Sequence, residues 1–208
     1  MNLLDGQYLT IQNPIDVSVT IQRSRFIASL RTVQNREEFN VAMSEIINLY
    51  PKATHYCWAY RFYDNPPSEH SSDAGEPSGT AGRPILGTLK KYSLLNAMAV
   101  VARYYGGIKL GVKGLISAYG GTTLQAVESA NIVLAEPMRY ISFSCSYEHY
   151  NLLLSRMAKN AIESTEIKAE FTDVISGEIV VPLSKIDAVS NELKNLRAAN
   201  SAFVFSVR

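Results

Sequence analysis

Cysteine is scarce in this chain. Its 208 residues carry two, Cys57 and Cys145, too far apart to make a metal-type pair. They read as buried, reduced thiols, which favours a cytoplasmic protein. Histidine is almost as rare, at His55, His70 and His149. A Gly-x-Ser-x-Gly elbow, a His-Glu-x-x-His pair and a dinucleotide fingerprint are all missing, so the common hydrolase, zinc-protease and nucleotide-cofactor sites are not signalled. No apolar run approaches the roughly 20 residues that span a bilayer, and the segment after Met1 is polar with no signal-like core. No membrane role is expected. The net charge of +1 argues against indiscriminate binding to nucleic acid, so any such surface must be a local patch.

What is present is an ordinary globular composition, 47% hydrophobic and 19% charged, in a length that suits one large domain or two small ones. Residues 17–30 alternate apolar and polar, with a phase shift across Gln22-Arg23-Ser24-Arg25. That shift predicts either a bulge or two strands joined by a turn. Phe39, Ala42, Met43, Ile46, Ile47 and Tyr50 recur at helical spacing, with Asn35 as the N-cap of a helix that Pro51 stops. A strand follows over His55–Phe62. Its Tyr56, Trp58, Tyr60 and Phe62 face suits core beneath that helix better than base stacking, and its other face carries His55, Cys57 and Arg61. Asp64–Gly82 is rich in Pro, Gly, Ser and acids and is expected to be a structureless loop. Next come a helix over Pro84–Leu95, a buried strand over Met98–Tyr105 and a helix over Leu115–Val133. Ala135-Glu136-Pro137 marks a boundary between domains at 1–135 and 136–208. The second reads strand, helix, strand, strand, helix, strand: Arg139–Tyr147, His149–Asn160, Ile162–Phe171, Gly177–Leu183, Ser184–Leu196 and Ser201–Val207. That βαββαβ series is the ferredoxin-like pattern, so the fold class is α+β.

The charge is unevenly spread. No acidic residue lies between Glu76 and Glu128, whereas Arg83, Lys90, Lys91, Arg103, Lys109 and Lys113 do. The strand ending in Arg103-Tyr104-Tyr105 empties into a turn holding Gly106, Gly107, Gly111 and Gly114, and a helix follows. Free amides at a helix N-terminus, glycine backbone and lysines together suit a phosphate-bearing ligand. The same glycines also suit a plain tight turn; the one-sided charge favours the ligand. It is not a P-loop, since Val112 stands where that motif has lysine. The Asp73–Gly82 segment is expected to close over the turn as a lid. His70, Asp73 and Glu76 do not make a convincing metal set, and no cofactor, metal or catalytic residue is assigned.

Four blocks carry a resemblance: Ser24-Arg25-Phe26-Ile27, the run from Ala53 to Tyr60, the run from Ser72 to Gly82, and Val100–Gly111 leading into Gly114-Leu115. With these the chain resembles bacterial YigZ-type members of the IMPACT family. The resemblance implies an N-terminal domain like domain 2 of ribosomal protein S5 and a ferredoxin-like C-terminal domain like domain V of elongation factor G. Eukaryotic relatives act as translational regulators. Related bacterial sequences tend to have small residues where this chain has Val112-Lys113. The resemblance therefore implies a non-enzymatic, translation-linked regulator that contacts RNA, the ribosome or a translation-associated protein. The contacts expected are Arg103, Tyr104, Lys109 and Lys113, with Gly106, Gly107, Gly111 and Gly114 shaping the turn. Asp73, Gly75, Glu76, Gly79, Thr80, Arg83 and His55 are expected beside them. The alternative is an enzyme on a small phosphorylated or nucleotide-like substrate, with His55 or Asp73 as acid–base.

Overall fold

The structure, a computed structural model, describes residues 6–199 and 203–207. These fall into two compact units, one over Tyr8–Ala135 and the other from Glu136 onward, with which Gly6 and Gln7 group. Among the described residues no helix is long and apolar enough to cross a membrane.

The first unit runs β1 (Tyr8–Ile11), β2 (Ile15–Ile21), β3 (Ser24–Thr32), α1 (Arg36–Leu49), β4 (His55–Phe62), β5 (Ser68–Ser72), α2 (Gly82–Lys91), β6 (Ala97–Tyr104), α3 (Gly111–Ser129) and β7 (Ile132–Ala135). Five strands form an antiparallel sheet in the order β2-β3-β6-β4-β5, and β1 pairs separately with β7. The apolar run in β6 has its physical reason here: the strand is central and covered on both faces. Ala97, Ala99 and Val101 pack under Ile85 and Leu89 of α2 and Leu115, Ala118 and Tyr119 of α3. Met98 and Val100 meet Phe39, Ala42 and Ile46 of α1 on the other side. Tyr60 and Phe62 belong to this second core, with Tyr56 and Trp58 against it, so the aromatic face is core under α1. The Asn35 side chain accepts from the Glu38 amide, as an N-cap should.

Of the two expectations for residues 17–30, a bulge or two strands, the structure has two strands, joined at Gln22 and Arg23, both with positive φ (44° and 68°), the two-residue hairpin geometry that matches strand twist. Other expectations need correcting. Asp64–Gly82 is not structureless: β5 lies inside it and pairs along the edge of β4 from Trp58↔Ser72 to Phe62↔Ser68. An edge strand of Ser, Glu and His buries no apolar face, so periodicity cannot reveal it. Helix α2 starts at Gly82, whose position is set by close approach to Ser72: a Cβ there would meet that backbone at 2.8 Å. Helix α3 starts at Gly111 and stops at Ser129, with the separate strand β7 beyond.

The second unit runs β8 (Met138–Cys145), α4 (Tyr147–Lys159), β9 (Ile167–Phe171), β10 (Ile175–Pro182), α5 (Ile186–Ala199) and β11 (Val204–Val207). Residues 201 and 202 of the expected last strand lie outside the described residues, as does the polar segment after Met1. The sheet is antiparallel in the order β11-β8-β10-β9. Ile141, Phe143, Ile179 and Val181 on one face pack under Leu153 and Met157 of α4 and Val189 and Leu193 of α5.

Candidate functional site

The end of β6 delivers Arg103 into the first unit's interior. Its register partners are Phe26 on β3 and His55 on β4, so its side chain emerges where three strands meet. Arg103 is only 5% exposed. Its Nη1 donates to Glu76 Oε1 at 2.5 Å and its Nη2 to Ser24 Oγ at 3.4 Å. The Tyr119 hydroxyl donates to the same Glu76 oxygen at 2.7 Å. The guanidinium lies between the rings of Phe26 and Tyr105, each centroid 5.3 Å away. The buried Arg103 Nε finds no acceptor among the described residues. An orphan of this kind costs roughly 1–3 kcal/mol.

Glu76 reaches Arg103 because the preceding turn is tied down. The Asp73 carboxylate accepts from the amides of Gly79 (2.8 Å), Ala81 (2.9 Å) and Gly82 (2.9 Å). Burial pushes the Asp73 pKa up, but these three amides and the charge of Arg83 outweigh it and hold the carboxyl below the usual aspartate range. Thr80 Oγ1 donates to Pro77 O at 2.7 Å. Gly75 has φ +90° and lies against His55, where a Cβ would sit 3.3 Å from Nδ1. His55 Nδ1 donates to Ala74 O at 2.9 Å, which makes it a tied structural histidine. Cys57 donates to Asp73 O, and burial pushes its thiol up to about 12, so no thiolate nucleophile forms here. Burial likewise raises Tyr119, whose phenol stays protonated against Glu76. The expected lid is therefore bonded down as a wall.

That wall, the starts of β4 and α3 and the end of β6 enclose a cleft of about 500 Å³. Of the expected residues it brings together His55, Glu76, Arg103, Lys109 and Gly111. Thr54, Pro77, Tyr105, Leu110, Val112 and Leu115 complete the lining; of these, Pro77 lies within the segment expected to close over the turn. Tyr105, not Tyr104, faces the cleft, because strand alternation puts residue 105 on the side of Arg103. Tyr104 lies under the Arg25 guanidinium, and its hydroxyl donates to Pro51 O. Gly106 serves a close approach: a Cβ would fall 2.0 Å from Arg23 O. Gly107 and Gly111 have φ of +87° and +69°, with open space around them. Lys113 is exposed on α3, Gly114 packs on Leu110, and both lie outside the lining, as do Asp73, Gly75, Gly79, Thr80 and Arg83.

Helix α3 has no side-chain cap at Leu110 and no acid in its first turn. Among the described residues no loop carbonyl or side chain accepts from the amides of Gly111, Val112 or Lys113. The cleft thus presents partial positive charge at one end, Lys109 on its rim and mostly apolar walls. No group of three or more His, Cys, Asp or Glu among the described residues is placed to hold a metal.

This is a two-unit protein of mixed helices and antiparallel sheets, with a cleft in its first unit that Lys109 and the start of α3 line. The model of the Impact N-terminal domain matches residues 22–127, which contain the whole lining. The chain is 32% identical to the IMPACT family member YvyE of Bacillus subtilis (strain 168), over 93% of this chain and 88% of that one. It is 30% identical to the IMPACT family member YigZ of Escherichia coli (strain K12), over 86% and 88%. A crystal structure of a hypothetical protein superposes with a TM-score of 0.71 at 27% identity, covering 98% of this chain and 97% of the other. The chain belongs to the IMPACT family.

Proposed function

We propose that this protein is a translation-linked regulator that binds RNA, free or on the ribosome, through the cleft and the basic rim of its glycine turn. The observation that carries the reading is the start of α3, whose first amides find no acceptor among the described residues and whose neighbours are Lys109 and Lys113. Exposed Arg23 sits in the adjacent hairpin, whose backbone touches Gly106, and Arg25 stacks over Tyr104 beside it. Phosphates are met by amides and by side chains of these types. Membership of the IMPACT family supports the link to translation, through the resemblance to eukaryotic regulators. The 4-1-3-2 strand order of the second unit supports a ferredoxin-like domain resembling domain V of elongation factor G. The first unit is taken as resembling domain 2 of ribosomal protein S5. The alternative, an enzyme with Asp73 or His55 as acid–base, is weakened by the bonds that occupy the Asp73 carboxylate and His55 Nδ1.

The test is a Lys109→Glu/Lys113→Glu variant, followed by RNA anisotropy and ribosome co-sedimentation at two salt concentrations. Association should be lost at the higher salt concentration, and any that remains at the lower one should show a salt slope smaller by about two, one per lysine. The unfolding midpoint should stay put, since both side chains are exposed. Unchanged, salt-sensitive binding in that variant would remove the turn from the interface.

A further inference from the structure

The cleft holds more than a surface for phosphates would require. From its geometry we infer that it is a single-nucleotide pocket, taking one unstacked or terminal nucleotide of an RNA with the phosphate at α3 and the base against Tyr105. This rests on the RNA-binding reading and names what enters the site. Two features converge.

The first is the phosphate end. Helix α3 is 19 residues long, begins without a cap or an acid, and has Lys109 just before it on the rim. The second is the wall beside it. Tyr105 is 45% exposed although it lines the cleft, and the Arg103 guanidinium lies over its ring. That backing fixes an aromatic platform of the kind on which single bases stack. Pro77, Leu110, Val112 and Leu115 supply apolar surface around it. A volume of about 500 Å³ falls within the range of small-ligand pockets, roughly 300–1,000 Å³. A simple phosphate seat does not need the aromatic wall.

The experiment titrates the full chain with AMP, UMP, adenosine, inorganic phosphate and a single-stranded RNA decamer, for wild type and Tyr105→Ala. Wild type should bind AMP and UMP at least about tenfold more tightly than phosphate, the order of effect that base stacking supplies. Tyr105→Ala should lose most of that advantage while its affinity for phosphate is unchanged. The decamer should compete with AMP. If AMP binds no better than phosphate, or is indifferent to Tyr105→Ala, while the decamer still binds through Lys109, the pocket is overturned and the RNA reading stands. If mononucleotides bind as described and the decamer does not, the RNA reading falls and the pocket survives as a small-ligand site. If nothing binds at low salt, both are overturned. Circular dichroism of Tyr105→Ala checks that its fold is intact.

Discussion

Helices α2 and α3 lie side by side on the same face of the sheet, yet their N-termini are treated in opposite ways. At α2 the protein provides its own anion: Asp73, eight and nine residues upstream of Ala81 and Gly82, accepts from both of their amides and from Gly79. At α3 no carboxylate is provided, and the whole stretch up to Glu128 contains none. The first terminus is thereby closed into the fold and serves stability. The second keeps its electrostatic demand facing a cleft. Two glycine-rich turns thus do different jobs, and the position of one carboxylate decides which.

The largest expected effect tests how firmly the closed side is built. Glu76→Ala leaves the Arg103 guanidinium buried without its partner, with side-chain exposures of 6% and 4% for the pair. Breaking a buried pair from one side costs roughly 3–5 kcal/mol, so denaturant unfolding should show a loss of that order. A loss near zero would mean that the wall is not held by Glu76 at all. Next is Gly106→Ala. The added methyl would meet the Arg23 carbonyl at 2.0 Å, backbone against backbone, so the hairpin must move. A destabilisation of about 1–3 kcal/mol is expected from such overpacking.

Asp73→Ala follows, at about 2 kcal/mol, since it removes three charge-assisted bonds at a helix start. Its pH dependence has a definite sign. The folded carboxyl lies below its unfolded value of about 3.9, so the contribution is complete above that pH and disappears as pH falls through the folded value. The difference in stability between wild type and Asp73→Ala should therefore be flat near neutrality and shrink below about pH 4. A difference that instead grew on acidification would contradict the bonding at α2.

Much of this contrast is readable in the residues, and the remainder has physical reasons for staying hidden. The span of β4, the burial of its aromatic face, the Asn35 cap and the basic glycine turn before α3 all rest on local spacing, which sequence carries well, although the helix itself begins at Gly111 and not at Leu115. The Glu76–Arg103 pair does not. The two residues are 27 apart, and they meet only because β5 returns the chain along β4, a strand whose polar edge leaves no apolar period. Asp73 looked like part of an acidic lid because composition cannot say which amides a carboxylate will reach. Tyr105 is legible too: strand alternation from Arg103 points to it rather than to Tyr104.

The smallest effect is the most discriminating, because it converts one helix start into the other. Val112 is 58% exposed, lines the cleft and stands in the first turn of α3. Val112→Glu places a carboxylate beside the amides of residues 111–113, as Asp73 does for α2. A negative charge there stabilises a helix by roughly 0.3–1 kcal/mol, enough to raise the thermal midpoint by a degree or more. The same carboxylate should compete with the phosphate of any ligand and weaken binding of AMP and RNA. Val112→Gln, similar in size but uncharged, should do neither. A stabilised Val112→Glu protein with undiminished binding would mean that the ligand does not use the α3 amides, and the contrast between the two helices would be structural only.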